Sequence, residues 1–303
     1  MSKAELAALL ALCAALASAI GDVIRQRSAQ EVTDKQVGHL ELFRLSVRDP
    51  RWWIGGAGAV ANYSLQAAAL ALGSVLMVTA LQVTSLLFAL PIYARLAQHR
   101  VTRWEWTWAV LLAGALAVLV TVGDPGAGTA RGSMRSWLAV VAVLVPVLVL
   151  CVLGARIWAG TTAAPVLLAV VSGSSLALFA VLTKGAVGAA AGGLGAFLRA
   201  PESYGLLPVA LAGMIFQQSA FRAGALTASL PTVTVAKPMV AAVLGVLVLR
   251  ETVNADGPRA LTLLATGVLV IISTIALARG EAATMAAGPG QDVVGPGEGP
   301  SRR

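Results

Sequence analysis

A chain of 303 residues that is 58% apolar and only 12% charged, with a strongly positive mean hydropathy, has the composition of a membrane protein. At about 20 residues per helical span, nine spans would use roughly 180 residues, leaving short loops and a tail and no room for a separate soluble catalytic domain. The basic excess, 22 Lys and Arg against 14 Asp and Glu, lies mostly between apolar runs and reads as loop charge; no basic stripe with interleaved aromatics argues for nucleic acid.

The first apolar run, about residues 4–24, is long enough to span and lacks a small-residue cleavage pattern, so it is expected as a retained helix. Glu5 and Asp22 stand near its two ends. A polar stretch from Arg25 to Arg51 follows, in which Leu40, Phe43 and Val47 recur at i, i+3, i+7, the spacing of an amphipathic helix lying on the membrane surface. Eight further apolar runs occupy 52–72, 74–97, 104–122, 136–158, 163–184, 204–222, 226–249 and 259–278, and everything between them is expected as connector. The expected fold is therefore an all-α polytopic membrane protein with nine transmembrane helices, or ten if residues 25–51 contain another. Residues 280–303, rich in Gly, Pro and Ala without periodicity, are expected as a disordered tail. Cys13 and Cys151 lie inside apolar runs and are read as packing residues, with no disulfide or metal role.

Lys and Arg on alternate sides of nine spans divide unequally. Lys3, Arg131, Arg135, Lys184, Arg199, Arg250 and Arg259 fall on one side, and fourteen others, densest between Arg25 and Arg51, fall on the other. The positive-inside bias puts the second set in the cytoplasm, with the N-terminus outside and the C-terminal tail inside the cell membrane.

An internal repeat organises the chain. Gln66 to Gly73 aligns with Gln217 to Gly224, and beyond a four-residue insertion Ser74, Val78, Thr79 and Gln82 match Ser229, Val233, Thr234 and Lys237, with Arg95 on Arg250. The helix before Gly73 runs outward and the one before Gly224 runs inward, so the repeats are inverted. Residues 1–123 form the first repeat (helices 1–4 and the polar segment 25–51), 124–135 a linker, and 136–279 the second repeat (helices 5–9). Inverted halves are a construction of secondary transporters, which bind their substrate near the midplane.

Polar side chains inside spans are costly and mark cavities or interhelical contacts. Thr79, Gln82 and Ser85 fall at i, i+3, i+6, and Asn62 and Gln66 at i, i+4; Gln217 and Gln218 lie near the inner end of the seventh helix with Arg222, which is expected to snorkel to the interface. Ser172, Ser175 and Thr183 form a polar edge best read as helix packing, with Lys184 at its outer end. Asp22 is a coupling candidate, although a local ion pair with Arg25 or Arg27 is the plainer reading. Lys237 lies close to the midplane of its span, bracketed by Pro231 and Pro238, whose missing N–H groups free backbone carbonyls. Two readings of it remain: a neutral amine held by such carbonyls, or a charged lysine that meets an anionic group on the substrate. The second explains the charge as well as the position. The candidate substrate-binding set is Lys237, Gln82, Thr79, Thr234, Gln66, Asn62, Gln217 and Gln218, with no catalytic residue, metal site or cofactor.

The stretch ANYSLQAAALALGSVLMVTALQVTSLLFALPIYARL and its counterpart FQQSAFRAGALTASLPTVTVAKPMVAAVLGVLVLRETV resemble the drug/metabolite transporter superfamily, near its EamA-like and NIPA-type branches, and the likeness extends over most of residues 4–278. The resemblance implies ten helices in two inverted sets of five, and LRET at Leu249 to Thr252 looks like the short acidic turn after the fourth helix of a set. The first copy carries Arg95 followed by LAQHR where an acid would be expected. The resemblance also raises Mg²⁺ as a substrate, against which stands the preference of that ion for carboxylate oxygens; the midplane offers Lys237 instead.

The expected function is a secondary transporter of a small organic or anionic metabolite, or a lipid-derived molecule, working by alternating access. Its expected partners are a small-molecule substrate and the lipid bilayer, with self-association left open. The alternatives are a NIPA-type cation transporter and a non-transporting membrane scaffold, in which Gly55, Gly56 and Gly58 would serve as helix contacts. An enzyme is not expected, since His39 and His99 fall in loops and no acids pair within a span.

Overall fold

Lipid offers no partner to a backbone N–H or C=O, so apolar runs of this length close their hydrogen bonds internally as helices. The computed structural model describes residues 2–31, 50–96, 102–123, 125–126, 128–161, 163–223, 226–253 and 257–287. The amphipathic helix expected around Leu40, Phe43 and Val47, and with it any tenth span, lies outside the described residues. Among those described, the chain is helical but for turns, connecting segments and one isolated antiparallel bridge, Gly126 to Thr252.

In chain order the helices are α1 (Lys3–Glu31), α2 (Pro50–Leu72), α3 (Val75–Gln82), α4 (Ser85–Leu96), α5 (Arg103–Gly123), α6 (Met134–Ile157), α7 (Ala163–Ala190), α8 (Leu194–Arg199), α9 (Pro201–Ala223), α10 (Leu226–Leu249) and α11 (Pro258–Ala287). Each of the nine apolar runs is helical. Six of these helices are long and apolar enough to cross a membrane: α1 over Lys3–Gly21, α5, α6, α7, α10 over Thr232–Leu249, and α11 over Pro258–Leu277. Helices α2 and α9 match them in length but carry the amide pairs Asn62/Gln66 and Gln217/Gln218.

The structure differs from the sequence reading in five places, the first being that α1 runs on to Glu31, seven residues into the stretch read as polar connector. The run 74–97 is two helices, because after Gln82 the N–H groups of Val83 and Thr84 bond three residues back, to Ala80 and Leu81, and the Thr84 hydroxyl also donates to the Leu81 carbonyl at 2.6 Å. Helix α7 continues through the small residues GAVGAA to Ala190 before Gly193 turns the chain at φ +91°, so Lys184 is an interior helix residue, 6% exposed, rather than an outer-end one. A short helix, α8, occupies part of the stretch read as connector. Helix α11 runs to Ala287, into the segment expected as a disordered tail, and residues 288–303 lie outside the described residues.

Small residues set the packing. Helices α1 and α2 run antiparallel in contact along much of their length, close enough at Gly21 and Gly58 that a Cβ on Gly58 would stand 2.9 Å from the Gly21 Cα, the backbone approach that membrane helices use where lipid removes the hydrophobic drive. Helix α7 is the most enclosed span and packs on α9, α10, α6 and α2. Gly173 lets α10 approach it: an added Cβ would lie 3.2 Å from both the Lys237 N and the Val233 O. The main core gathers Ala7, Leu70, Val78, Val181, Leu244 and Leu249 from five helices. Helix α6, by contrast, leaves Leu138, Val141, Val145 and Leu150 exposed, as a helix facing lipid does.

Candidate functional site

A cavity of about 110 Å³ opens beside the α3/α4 break. Its polar wall consists of Ser18 from α1, Asn62 and Tyr63 from α2, Thr79 and Gln82 from α3, Ser85 from α4, Gln217 from α9, and Thr234 and Lys237 from α10, with Val83, Leu176, Val233 and Pro238 closing it. A broken helix against an ion-bearing partner is an arrangement that membrane proteins reserve for water-filled or ligand-lined space, because irregular backbone is not tolerated against lipid.

The hydrogen bonds join the two halves of the chain. The Lys237 ammonium donates to Gln82 Oε1 at 2.7 Å, and the Gln82 amide donates in turn to Asn62 Oδ1 at 3.1 Å. An ammonium carries three donors, and the surrounding hydroxyls and amides supply more. Pro238 lacks the N–H that would bond the Thr234 carbonyl in a regular helix, which concentrates polar backbone at the same level. Thr79 has already spent its proton on the Val75 carbonyl, at 2.6 Å. Tyr63 is braced edge-on against Phe179, ring centroids 5.2 Å apart. Among the described residues lining the cavity there is one cation and no carboxylate.

Six of the eight residues singled out from the sequence therefore line one cavity: Lys237, Gln82, Thr79, Thr234, Asn62 and Gln217. Gln66 is separate. It lies one turn along α2 from Asn62, 1% exposed, with neither its amide nitrogen nor its oxygen hydrogen-bonded among the described residues. Gln218 is half-buried and outside the lining. Asp22 falls within α1 and Arg222 within α9, but their side chains lie outside what the structure describes. Ser18 and Tyr63 were not picked out from the sequence, and only their helical spacing from polar neighbours could have flagged them.

A second polar cluster ties the same elements together away from the cavity. The Glu251 carboxylate, in the turn after α10, accepts the N–H of Val75 at 2.6 Å and of Leu76 at 3.0 Å, so a carboxylate sits on the positive N-terminal end of α3. Its Oε1 also takes the Lys184 ammonium at 2.7 Å, with both side chains enclosed. Gly245 makes room for it: a Cβ there would stand 2.7 Å from Glu251 Oε2. Arg250 adopts φ +53°, a left-handed conformation that costs a non-glycine residue roughly 1–2 kcal/mol and turns the chain so that the Glu251 N–H bonds the Gly245 carbonyl at 3.0 Å. The segment joining α5 to α6 straps this turn, as Gly126 N–H donates to Thr252 O at 2.9 Å and Thr129 donates from both backbone and hydroxyl to Leu249 O. Nearby, Arg131 holds the buried Glu202 carboxylate through Nη2 at 2.9 Å.

Enclosed helices, lipid-type exposure and an internal polar cavity define an all-α, multi-pass membrane protein. The chain is 37% identical over 291 residues to Uncharacterized protein Cgl0250/cg0304 of Corynebacterium glutamicum, an alignment covering 95% of this chain and 99% of that one, and it belongs to the same family. No protein-family model matches the chain, and no solved structure does.

Proposed function

We propose that the protein is a secondary transporter that carries a small organic anion, or a lipid-derived acid, across the cell membrane by alternating access. The observation that carries this reading is the hydrogen bond between Lys237 of α10 and Gln82 at the α3/α4 break, made inside a donor-rich cavity. A lysine at that depth costs on the order of 2.5–3.5 kcal/mol on insertion scales, which leucine would avoid, and an anionic substrate group gives the charge a use. A cavity holding an ammonium disfavours the NIPA-type alternative, since a fixed positive charge repels a divalent cation.

The reading takes the two halves as inverted repeats of nine or ten spans, in the manner of the drug/metabolite transporters, with the N-terminus outside. Its support is that Gln82 and Lys237, matched in the repeat alignment, meet each other, and that α1 pairs with α2 as α7 pairs with α9. In this scheme the Glu251 cluster is a closed gate. It joins the end of α10 to the start of α3, so the two halves separate on that face only when the carboxylate releases Val75 and Leu76, while the Lys184 ion pair holds it to α7 within its own half. Counterflow of a panel of small carboxylates in proteoliposomes tests the proposal. Wild-type flux that Lys237→Met abolishes is the expected result; flux no greater than that of protein-free vesicles across the panel would refute it, and tight co-purification with a partner would then favour the scaffold reading.

A further inference from the structure

Beside the polar cavity lies a second space of about 200 Å³, between α3, α5, α10 and α11, lined almost wholly by apolar groups. Leu76, Ala80, Leu119, Met239, Val270 and Ile271 form most of its wall. The two spaces are neighbours with shared walls, for Val83, Thr234 and Pro238 line both. A head group on Lys237 therefore has an apolar groove beginning one side chain away, along the same face of α10 that continues through Met239 and Ala242. Glycine contributes to the opening, since a Cβ on Gly267 would meet nothing within 4 Å.

We propose that the substrate is a single-chain amphiphile, a carboxylate whose head group sits in the Lys237 cavity and whose hydrocarbon tail lies in the adjoining groove. The proposal rests on the transporter reading and narrows its substrate class. Charge selects the head, since the cavity supplies an ammonium with amide and hydroxyl donors. Volume selects the tail: at the roughly 30 Å³ that a water occupies in the liquid, the groove of about 200 Å³ holds about seven methylene-sized units. A two-chain phospholipid is far too large for it. A short hydrophilic anion would leave it without a use.

Binding of straight-chain carboxylates from acetate to decanoate to the full chain in nanodiscs, corrected against empty nanodiscs, tests the inference, with the matched primary alcohols run beside them. The expected result is affinity that rises about fourfold per methylene, the increment of burying one CH₂, until the groove is full near eight carbons and then levels off, with alcohols at least tenfold weaker. Gly267→Phe, which fills the groove from a position with space for it, is expected to flatten the chain-length series, and Lys237→Met to remove the advantage of acids over alcohols at every length. Acids that bind with no dependence on chain length, or a series that Gly267→Phe leaves unchanged, would overturn the amphiphile inference while the polar transport site stands. Acids that bind no better than alcohols, or as well to Lys237→Met as to wild type, would overturn both.

Discussion

Neutralising Glu251 probes the tie between the two halves of the bundle. In the native protein its carboxylate accepts two backbone N–H groups of α3 and the Lys184 ammonium, all within 3.0 Å. Glu251→Gln keeps the shape but leaves the Lys184 charge enclosed without its anion, a change that costs about 3–5 kcal/mol when one member of a buried pair is lost. Against a total stability of about 5–15 kcal/mol, that is a large fraction. At the roughly 1.6 °C per kcal/mol that an unfolding entropy of about 2.1 cal/mol/K per residue gives for 303 residues, the expected fall in unfolding midpoint is about 5–8 °C, read at fixed scan rate in one detergent. Lys184→Met is expected to cost less, because the two α3 amides still face the carboxylate. The double variant decides the matter, since it buries no uncompensated charge and is expected to be more stable than Glu251→Gln alone, with a coupling of about 2–3 kcal/mol. If the two single effects add to within about 0.5 kcal/mol, as they do for independent sites, the residues do not act as one latch and the reasoning fails.

Four other outcomes are expected. Lys237→Gln and Lys237→Met lose carboxylate binding while their unfolding midpoints stay near wild type, and Lys237→Arg is intermediate; a ligand-induced thermal shift measures all three. Gly58→Ala is destabilising by about 1–3 kcal/mol through overpacking, since the new methyl meets the Gly21 backbone, whereas Gly114→Ala, with nothing within 4 Å of its Cβ, is neutral or stabilising in the same assay. Gln66→Leu removes two buried, unpaired polar atoms and is expected to raise the midpoint by the equivalent of about 1–3 kcal/mol; a fall would mean that the amide has a partner in the membrane. Reporter fusions at Lys3 and Arg303 are expected to report the first outside and the second in the cytoplasm, and finding both ends cytoplasmic would mean that residues 25–51 contribute a span.

The helices were legible in one dimension because their cause is local. A run of some 20 apolar residues has to close its own backbone hydrogen bonds in lipid, and each of the nine runs is helical. Polar residues out of place in such runs were legible for the same reason, and the repeat alignment that matched Gln82 to Lys237 paired two side chains that hydrogen-bond in the folded chain. What stayed hidden depends on approach between distant segments. Nothing in LQVTS, which has neither Gly nor Pro, marks the end of α3 at Gln82, since that break is held by i−3 bonds and the Thr84 hydroxyl and takes its meaning from the cavity beside it. Glu251 could be seen as the acid of LRET and Lys184 as a stray cation, but the carboxylate finds its amides 175 and 176 residues away and its ammonium 67 residues away. Gln66 and Asn62 share a stripe and a residue class, yet Asn62 bonds Gln82 and lines the cavity while Gln66 has no bonding partner among the described residues. Their separation arises from which neighbouring helix each one meets. The apolar groove beside Lys237 is invisible in sequence because its walls are ordinary membrane-helix residues, and only the packing of four helices leaves space between them.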